Sequence, residues 1–248
     1  MLRRRRANIW FFKNLFKGWN TFEMAMLFVA IFVPVVVGII FDSTWLQIVA
    51  SSSTAVVVLF FAKAKVEGYV ISVIAISSYV IVAWGERLFG EVIIQLSIST
   101  PIVIVGFIAW LRSIKTNKDH GRPAEITIAT TSIKELLIVI PILVVAGVGI
   151  YFLLLAFDTP FVLVSTISVV FSLAAAYFLL IRKSFFGTFG YVLNDVSQII
   201  LWTSVLIVTE NFGILPIVIM ATILLILDTY AIFTWRKMYK RQRSGLTR

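Results

Sequence analysis

The chain of 248 residues contains no cysteine and a single histidine, His120. Disulfides and thiol chemistry are excluded. So are ordinary zinc sites, which need several nitrogen or sulfur ligands. Charge is also scarce: 14% of the residues are Asp, Glu, Lys or Arg, against 60% hydrophobic. No metal-ligand cluster, nucleophile–base pair or glycine-rich phosphate loop occurs, so the partners that an enzyme active site requires are missing. The expectation is a protein that is not an enzyme and that uses no cofactor. Basic residues outnumber acidic ones 22 to 12, for a net charge of +10. That excess alone would suit nucleic acid, but its distribution argues for a membrane.

What is abundant is apolar sequence in runs of about 18–25 residues, long enough to cross a hydrocarbon core of about 30 Å. Eight such segments lie at 24–41, 44–62, 69–85, 92–111, 135–157, 159–181, 185–208 and 212–235. The fold class is an all-α polytopic membrane protein with eight transmembrane helices. Residues 1–23 are not a cleavable signal, because no short apolar core with a small-residue cleavage site follows the arginines at 3–6. Ile9, Phe12, Phe16 and Trp19 instead repeat at helical spacing, with Lys13 and Lys17 elsewhere on the wheel. This reads as an amphipathic segment on the membrane surface. With the N-terminus in the cytoplasm, 21 of the 22 Lys and Arg lie inside and only Arg87 lies outside. Basic residues concentrate on the cytoplasmic side of membrane proteins, so both termini are placed there. The basic loops then meet anionic lipid, and no nucleic-acid partner is needed.

The two halves look related. Residues 44–112 hold three spans, and so do residues 159–237. Lys63/Lys65 and Arg182/Lys183 mark the same turn in each, and Trp110 and Trp235 sit near the two ends. Three spans reverse the direction of the chain, so the single span 135–157 restores it before the second triplet begins. The result is a 3+1+3 arrangement of parallel repeats, as in SWEET proteins. The span 24–41 is an extra helix, 113–134 a cytoplasmic connector and 238–248 a basic tail.

The strongest functional signal is a polar and aromatic stripe in the seventh span. Thr188, Tyr191, Asp195, Gln198 and Trp202 follow one another at intervals of three and four and share one helix face. An Asp at the centre of a membrane helix costs about 2.5–3.5 kcal/mol on insertion scales. Such a residue faces a bundle interior or a wet cavity and is a functional-site candidate by default. The plain alternative is a hydrogen-bonded peg between helices. In the fourth span Glu91, Gln95 and Ser99 lie four apart on one face, and Gln95 offers donors and an acceptor to an amide or sugar hydroxyl. Interhelical glue is their alternative role. Tyr79, with Ser72, lies on one side of the third span. Asp228 is a second intramembrane acid, whose alternative is snorkelling toward the basic 235–237 end. Glu23, Asp42, Asp158 and Glu210 flank spans and carry no special expectation.

The run Tyr79…Leu88-Phe89-Gly90-Glu91-x3-Gln95-x5-Pro101-x4-Gly106-x3-Trp110 resembles the signature of PnuC-type nicotinamide riboside transporters. Those usually read Tyr…Leu-Tyr-Gly-Glu, then Asn or Gln, Pro, Gly and Trp. Arg182-Lys183 before the stripe and Trp235-Arg236-Lys237 after it fit the family's second repeat. The resemblance covers about residues 44–240. It implies a SWEET-like fold, often a homotrimer, with a substrate site between the triplets. It also implies facilitated uptake by alternating access, made one-way by a cytosolic kinase that traps the product.

The chain departs from the family in the stripe itself. Nicotinamide riboside carriers typically show Trp-x-x-Trp-x-x-x-Asn there, where this chain has Thr188-x-x-Tyr191-x-x-x-Asp195. A family Asn of the third span falls at Ala75, and one of the last span falls near Asp228. The family's Trp pair suits a cationic pyridinium through cation–π contact, worth about 2 kcal/mol when desolvated. Thr188 removes one ring and Tyr191 shrinks the other, so a neutral nucleobase (deoxy)ribonucleoside is the first expectation. Nicotinamide riboside is nearly level. Asp195 and Asp228 favour a cation, which keeps nicotinamide riboside and thiamine open. Proton-coupled transport through the two acids is a further alternative, as is a subunit of a larger complex.

Overall fold

A computed structural model describes residues 18–86, 88, 92, 95–119 and 126–245. Among them run eight helices: α1 (Thr21–Ile40), α2 (Trp45–Ala62), α3 (Glu67–Gly85), α4 (Thr100–Asp119), α5 (Ile133–Ala156), α6 (Val162–Ala176), α7 (Phe186–Thr209) and α8 (Leu215–Gly245). A π-helical turn, Gln95–Ser99, leads into α4, and a second, Tyr177–Ile181, prolongs α6. Eight helical segments of the described chain are long and apolar enough to cross a membrane. The eight-helix expectation holds. Many of these segments are rich in β-branched residues, yet they are helical. Within lipid only a structure that satisfies its own backbone is tolerated, and local propensity yields to that demand. The expected amphipathic segment lies at 1–17 for the most part, outside the described residues, as do His120 and Arg87.

Local signals set the starts. Asn20-x-x-Glu23 and Thr44-x-x-Gln47 both form capping boxes, and Ser132 caps α5 by accepting from the Glu135 N–H at 3.1 Å. Two ends differ from the expected bounds. Helix α4 runs on to Asp119, and α8 continues about ten residues past the apolar run, to Gly245. Lys, Arg and Gln are good helix formers, so nothing in the tail stops the helix. The tail also has something to hold. Gln242 donates through Nε2 to the Ile126 carbonyl and accepts through Oε1 from the Ile128 N–H, both at 2.9 Å.

Helix α2 packs on α3, and α6 on α7; α2 also packs on α8, and α4 on the π turn of α6. The two triplets, α2–α4 and α6–α8, therefore meet along two seams. A reciprocal pair of tryptophans fastens them. Trp110 of α4 donates its indole N–H to the Leu180 carbonyl at the end of the α6 segment, at 3.0 Å. Trp235 of α8 donates to the Phe61 carbonyl at the end of α2, also at 3.0 Å. Each triplet's third helix thus caps the other triplet's first helix. Both indoles are fully buried, 6.0 Å apart between ring centroids. This exchange supports the reading of two parallel repeats.

The helix before each triplet is held by a second matched device. Glu23, at the start of α1, is 1% exposed and sits 2.8 Å from Lys63 at the end of α2, with the Tyr230 hydroxyl donating to it at 2.7 Å. Glu135, at the start of α5, is held by Arg182 at the end of the α6 segment at 2.6 Å, with the Tyr177 hydroxyl donating at 3.1 Å. The turns that follow α1 and α5 each place an Asp at positive φ: Asp42 at 51° and Asp158 at 47°. Helix α1 thus stands to α2 as α5 stands to α6. Glu23, which the sequence left without a role, is a buried ion-pair partner.

Candidate functional site

A cavity of about 200 Å³ lies between the two triplets, lined by residues of α2, α3, the approach to α4, α6, α7 and α8. Helices α1 and α5 supply none of its lining. Its volume is below the roughly 300 Å³ at which pockets for drug-sized molecules begin, which favours a small occupant. The walls are apolar over most of their area, with polar groups converging from α7 and α8.

Tyr79, Gln95, Tyr191, Asp195, Gln198 and Asp228 all line this cavity. Six of the ten residues singled out from the sequence are thereby brought together. Two others lie elsewhere. Thr188 is buried near the start of α7, where its hydroxyl donates to the Phe185 carbonyl at 2.7 Å. A hydroxyl one turn from a helix start finds a backbone partner more readily than a cavity. Trp202 is fully buried behind the cavity wall, its indole N–H on the Gln198 side-chain carbonyl at 2.9 Å and its ring edge-on to Tyr79 at 5.8 Å. The stripe is longer than the cavity, so its two ends serve as support. Glu91 lies outside the described residues, as does the side chain of Ser99.

Asp195 and Asp228 form the chemical centre. They are 1% and 4% exposed. Their side chains lie within interaction reach of one another across the cavity, and the Oδ2 atom of each is buried without a hydrogen-bond partner among the described residues. The Tyr191 phenol is within electrostatic reach of both. Among the described residues that line the cavity there is no Lys, Arg or His. Asp228 does not snorkel to the basic end: it is buried and turned toward the other acid.

A hydrogen-bonded chain positions the polar wall. Trp202 donates to Gln198, Gln198 donates through Nε2 to the Ser168 hydroxyl at 2.7 Å, and Ser168 donates to the Asn194 Oδ1 at 3.0 Å. This chain joins α7 to α6 and fixes the orientation of both amides. Ser168 and Asn194 were not anticipated. Ser165, Ser168 and Ser172 do recur at intervals of three and four in α6, a signal easily lost in a span whose serines usually bond to their own backbone. Asn194 lies one residue from Asp195 and flanks the stripe rather than sharing it.

On the opposite wall the backbone makes room. Pro101 lacks an N–H and crowds the preceding turn, and the helix before it widens into the π turn that carries Gln95. The Thr100 hydroxyl donates to the Gln95 carbonyl at 2.8 Å. Gly106 allows close packing, since a Cβ there would lie 2.9 Å from the Tyr69 hydroxyl and 3.0 Å from Leu180. Outside the membrane-spanning segments, burial and the neighbouring Arg182 hold the Lys183 amine below the usual lysine range. Burial raises the Glu86 carboxyl, although Asn211 donates to it.

The comparisons with known proteins agree with this architecture. A family model described as nicotinamide mononucleotide transporter matches residues 44–237. The nicotinamide riboside transporter PnuC of Neisseria mucosa is 26% identical over 233 residues, covering 94% of this chain and 87% of that protein. The nicotinamide riboside transporter PnuC of Haemophilus influenzae is 27% identical over 104 residues, 42% of this chain and 46% of that one. A crystal structure of the vitamin B3 transporter PnuC matches with a TM-score of 0.80 at 25% identity, covering 94% of this chain and 98% of that chain. These relatives are transporters, not enzymes. The chain therefore belongs to the nicotinamide mononucleotide transporter family and is a multi-pass membrane transporter of the PnuC type.

Proposed function

We propose that the chain carries a cationic pyridine nucleoside of the nicotinamide riboside type across the membrane by facilitated diffusion. The observation that carries this reading is the pair of buried acids in a cavity whose lining, among the described residues, holds no basic residue. Buried charge has to be balanced. Here the balancing positive charge comes from outside the protein lining, and a pyridinium supplies it. The Tyr79 and Tyr191 rings offer cation–π contact, and the amides of Asn194 and Gln198 offer partners for ribose hydroxyls. Loss of the family's Trp pair pointed first to a neutral (deoxy)ribonucleoside. The names of the relatives and the acid pair favour nicotinamide riboside instead.

Alternating access at the bilayer midplane, trapping of the product by a cytosolic kinase, a homotrimeric state and a bacterial inner-membrane location with both termini cytoplasmic complete the reading. The test is uptake by the purified protein in liposomes without a partner protein or ion gradient. Nicotinamide riboside should equilibrate, and unlabelled thymidine should fail to compete. Uptake of thymidine with no response to nicotinamide riboside would reject the substrate, and no flux of either would reject facilitated diffusion.

A further inference from the structure

Asp195 reaches the cavity from α7 and Asp228 from α8, and their side chains lie there within interaction reach of one another. A hydrogen bond between two carboxyls requires one proton, and two like charges at this separation cannot both be ionised while nothing else balances them. Among the described residues no basic group faces the pair. The titratable groups near the pair among the described residues are phenols: Tyr191 on α7, with Tyr79 and, farther off, Tyr69 on α3. The described residues of α2, of α4 and its approach, and of α6 contribute no titratable side chain to the lining, and α8 contributes only Asp228. Tyr230, two residues along α8, is committed to Glu23. The Oδ2 of each acid is buried and receives no hydrogen-bond donor among the described residues.

We propose that proton and substrate compete for this carboxyl pair: the empty carrier holds one proton between Asp195 and Asp228, and a bound pyridinium nucleoside expels it. The O–H bond of the protonated carboxyl breaks, its electrons stay on the oxygen, and the proton passes to water. The empty pair carries one negative charge. The loaded pair carries two, offset by one positive charge of the substrate. The net charge of the site is the same in both states, so the low-dielectric surroundings meet no new charge when the substrate enters. This inference rests on the cationic substrate proposed above.

Isothermal titration calorimetry of the purified protein with nicotinamide riboside tests it, in two buffers of different protonation enthalpy and across a range of pH. Competition predicts an apparent Kd that falls as pH rises, by up to about tenfold per pH unit, and about one proton released per substrate bound. The uncharged dihydro form of nicotinamide riboside, of nearly the same shape, should release none. Asp228→Asn should remove the proton release and the pH dependence while the protein still elutes as a folded particle, and Asp195→Asn is the second variant if it does not. Binding with a Kd independent of pH and a heat independent of buffer overturns the competition and leaves the substrate intact. No binding of nicotinamide riboside at any pH, with binding of an uncharged nucleoside, overturns the substrate and the competition with it.

Discussion

At the scale of single residues, the cavity divides into groups that line it and groups that hold them. Asp195 and Tyr191 line the cavity. Asp195→Ala should weaken binding of a cationic nucleoside about 10–150-fold, the worth of a charge-assisted hydrogen bond of about 1.5–3 kcal/mol. Tyr191→Ala should weaken it by a smaller factor, since a cation–π contact is worth about 0.5–2 kcal/mol. Calorimetric titration measures both, with gel filtration as the control for folding; unchanged affinity in both returns the stripe to packing. Ser168 is a positioning residue, because it ties the Gln198 amide to Asn194. Ser168→Ala should lower affinity about three- to tenfold, the loss of about 1 kcal/mol, whereas Ser168→Thr should keep the hydroxyl and restore part of it. Equal loss in both variants would mean that bulk, and not the hydrogen bond, matters there.

At the scale of elements, backbone approach governs the second triplet. A Cβ on Gly187 would come within 2.3 Å of the Leu179 backbone nitrogen, while one on Gly149 would meet nothing within 4 Å. Both lie in spanning helices, so their intrinsic preference for Ala is the same. Gly187→Ala should destabilise the detergent-solubilised protein by about 1–3 kcal/mol or more through overpacking. Gly149→Ala should be neutral or slightly stabilising. A thermal melt that ranks the two in reverse order would refute the close approach of α7 to the π turn. The tryptophan exchange makes a second forecast. Trp235→Phe keeps an aromatic ring and leaves the Phe61 carbonyl with the Ala64 N–H at 2.9 Å, whereas Trp110→Phe takes the indole donor from the Leu180 carbonyl. Trp235→Phe should cost about 0.5–1.5 kcal/mol and Trp110→Phe more, about 1–3 kcal/mol. The comparison of the two melting temperatures checks this order.

At the scale of the whole molecule, α1 is not an appendage. Its Glu23 joins the end of α2 through Lys63 and the middle of α8 through Tyr230, so it touches both halves. Removing one partner of a buried pair costs about 3–5 kcal/mol, because the other charge is left uncompensated. Glu23→Gln should therefore lower thermal stability more than Glu23→Gln combined with Lys63→Met, even though the double variant removes more polar groups. Double-variant stability at or below the sum of the two single losses would show that the two residues act independently. Salt should have little effect on the wild-type pair, since Glu23 is shielded from solvent.

The apolar run length, the basic loops and the paired turns at Lys63/Lys65 and Arg182/Lys183 determined the helix count and the division into two triplets. Those signals are local: hydrophobic length is set by the bilayer, and a turn is written in its own residues. The stripe of α7 was legible for the same reason, since helical spacing alone puts Tyr191, Asp195 and Gln198 on one face. What the sequence did not decide was how far that face stayed open. Thr188 and Trp202 share the stripe but are sealed by the Phe185 carbonyl and by the Gln198 amide, partners fixed only once the chain is folded. Ser168 and Asn194 entered the site because α6 packs on α7 at that depth. The meeting of Asp195 with Asp228 is tertiary in the same sense. The two residues are far apart in sequence and lie on different helices, and only the packing of α7 on α8 turns two costly acids into one shared site.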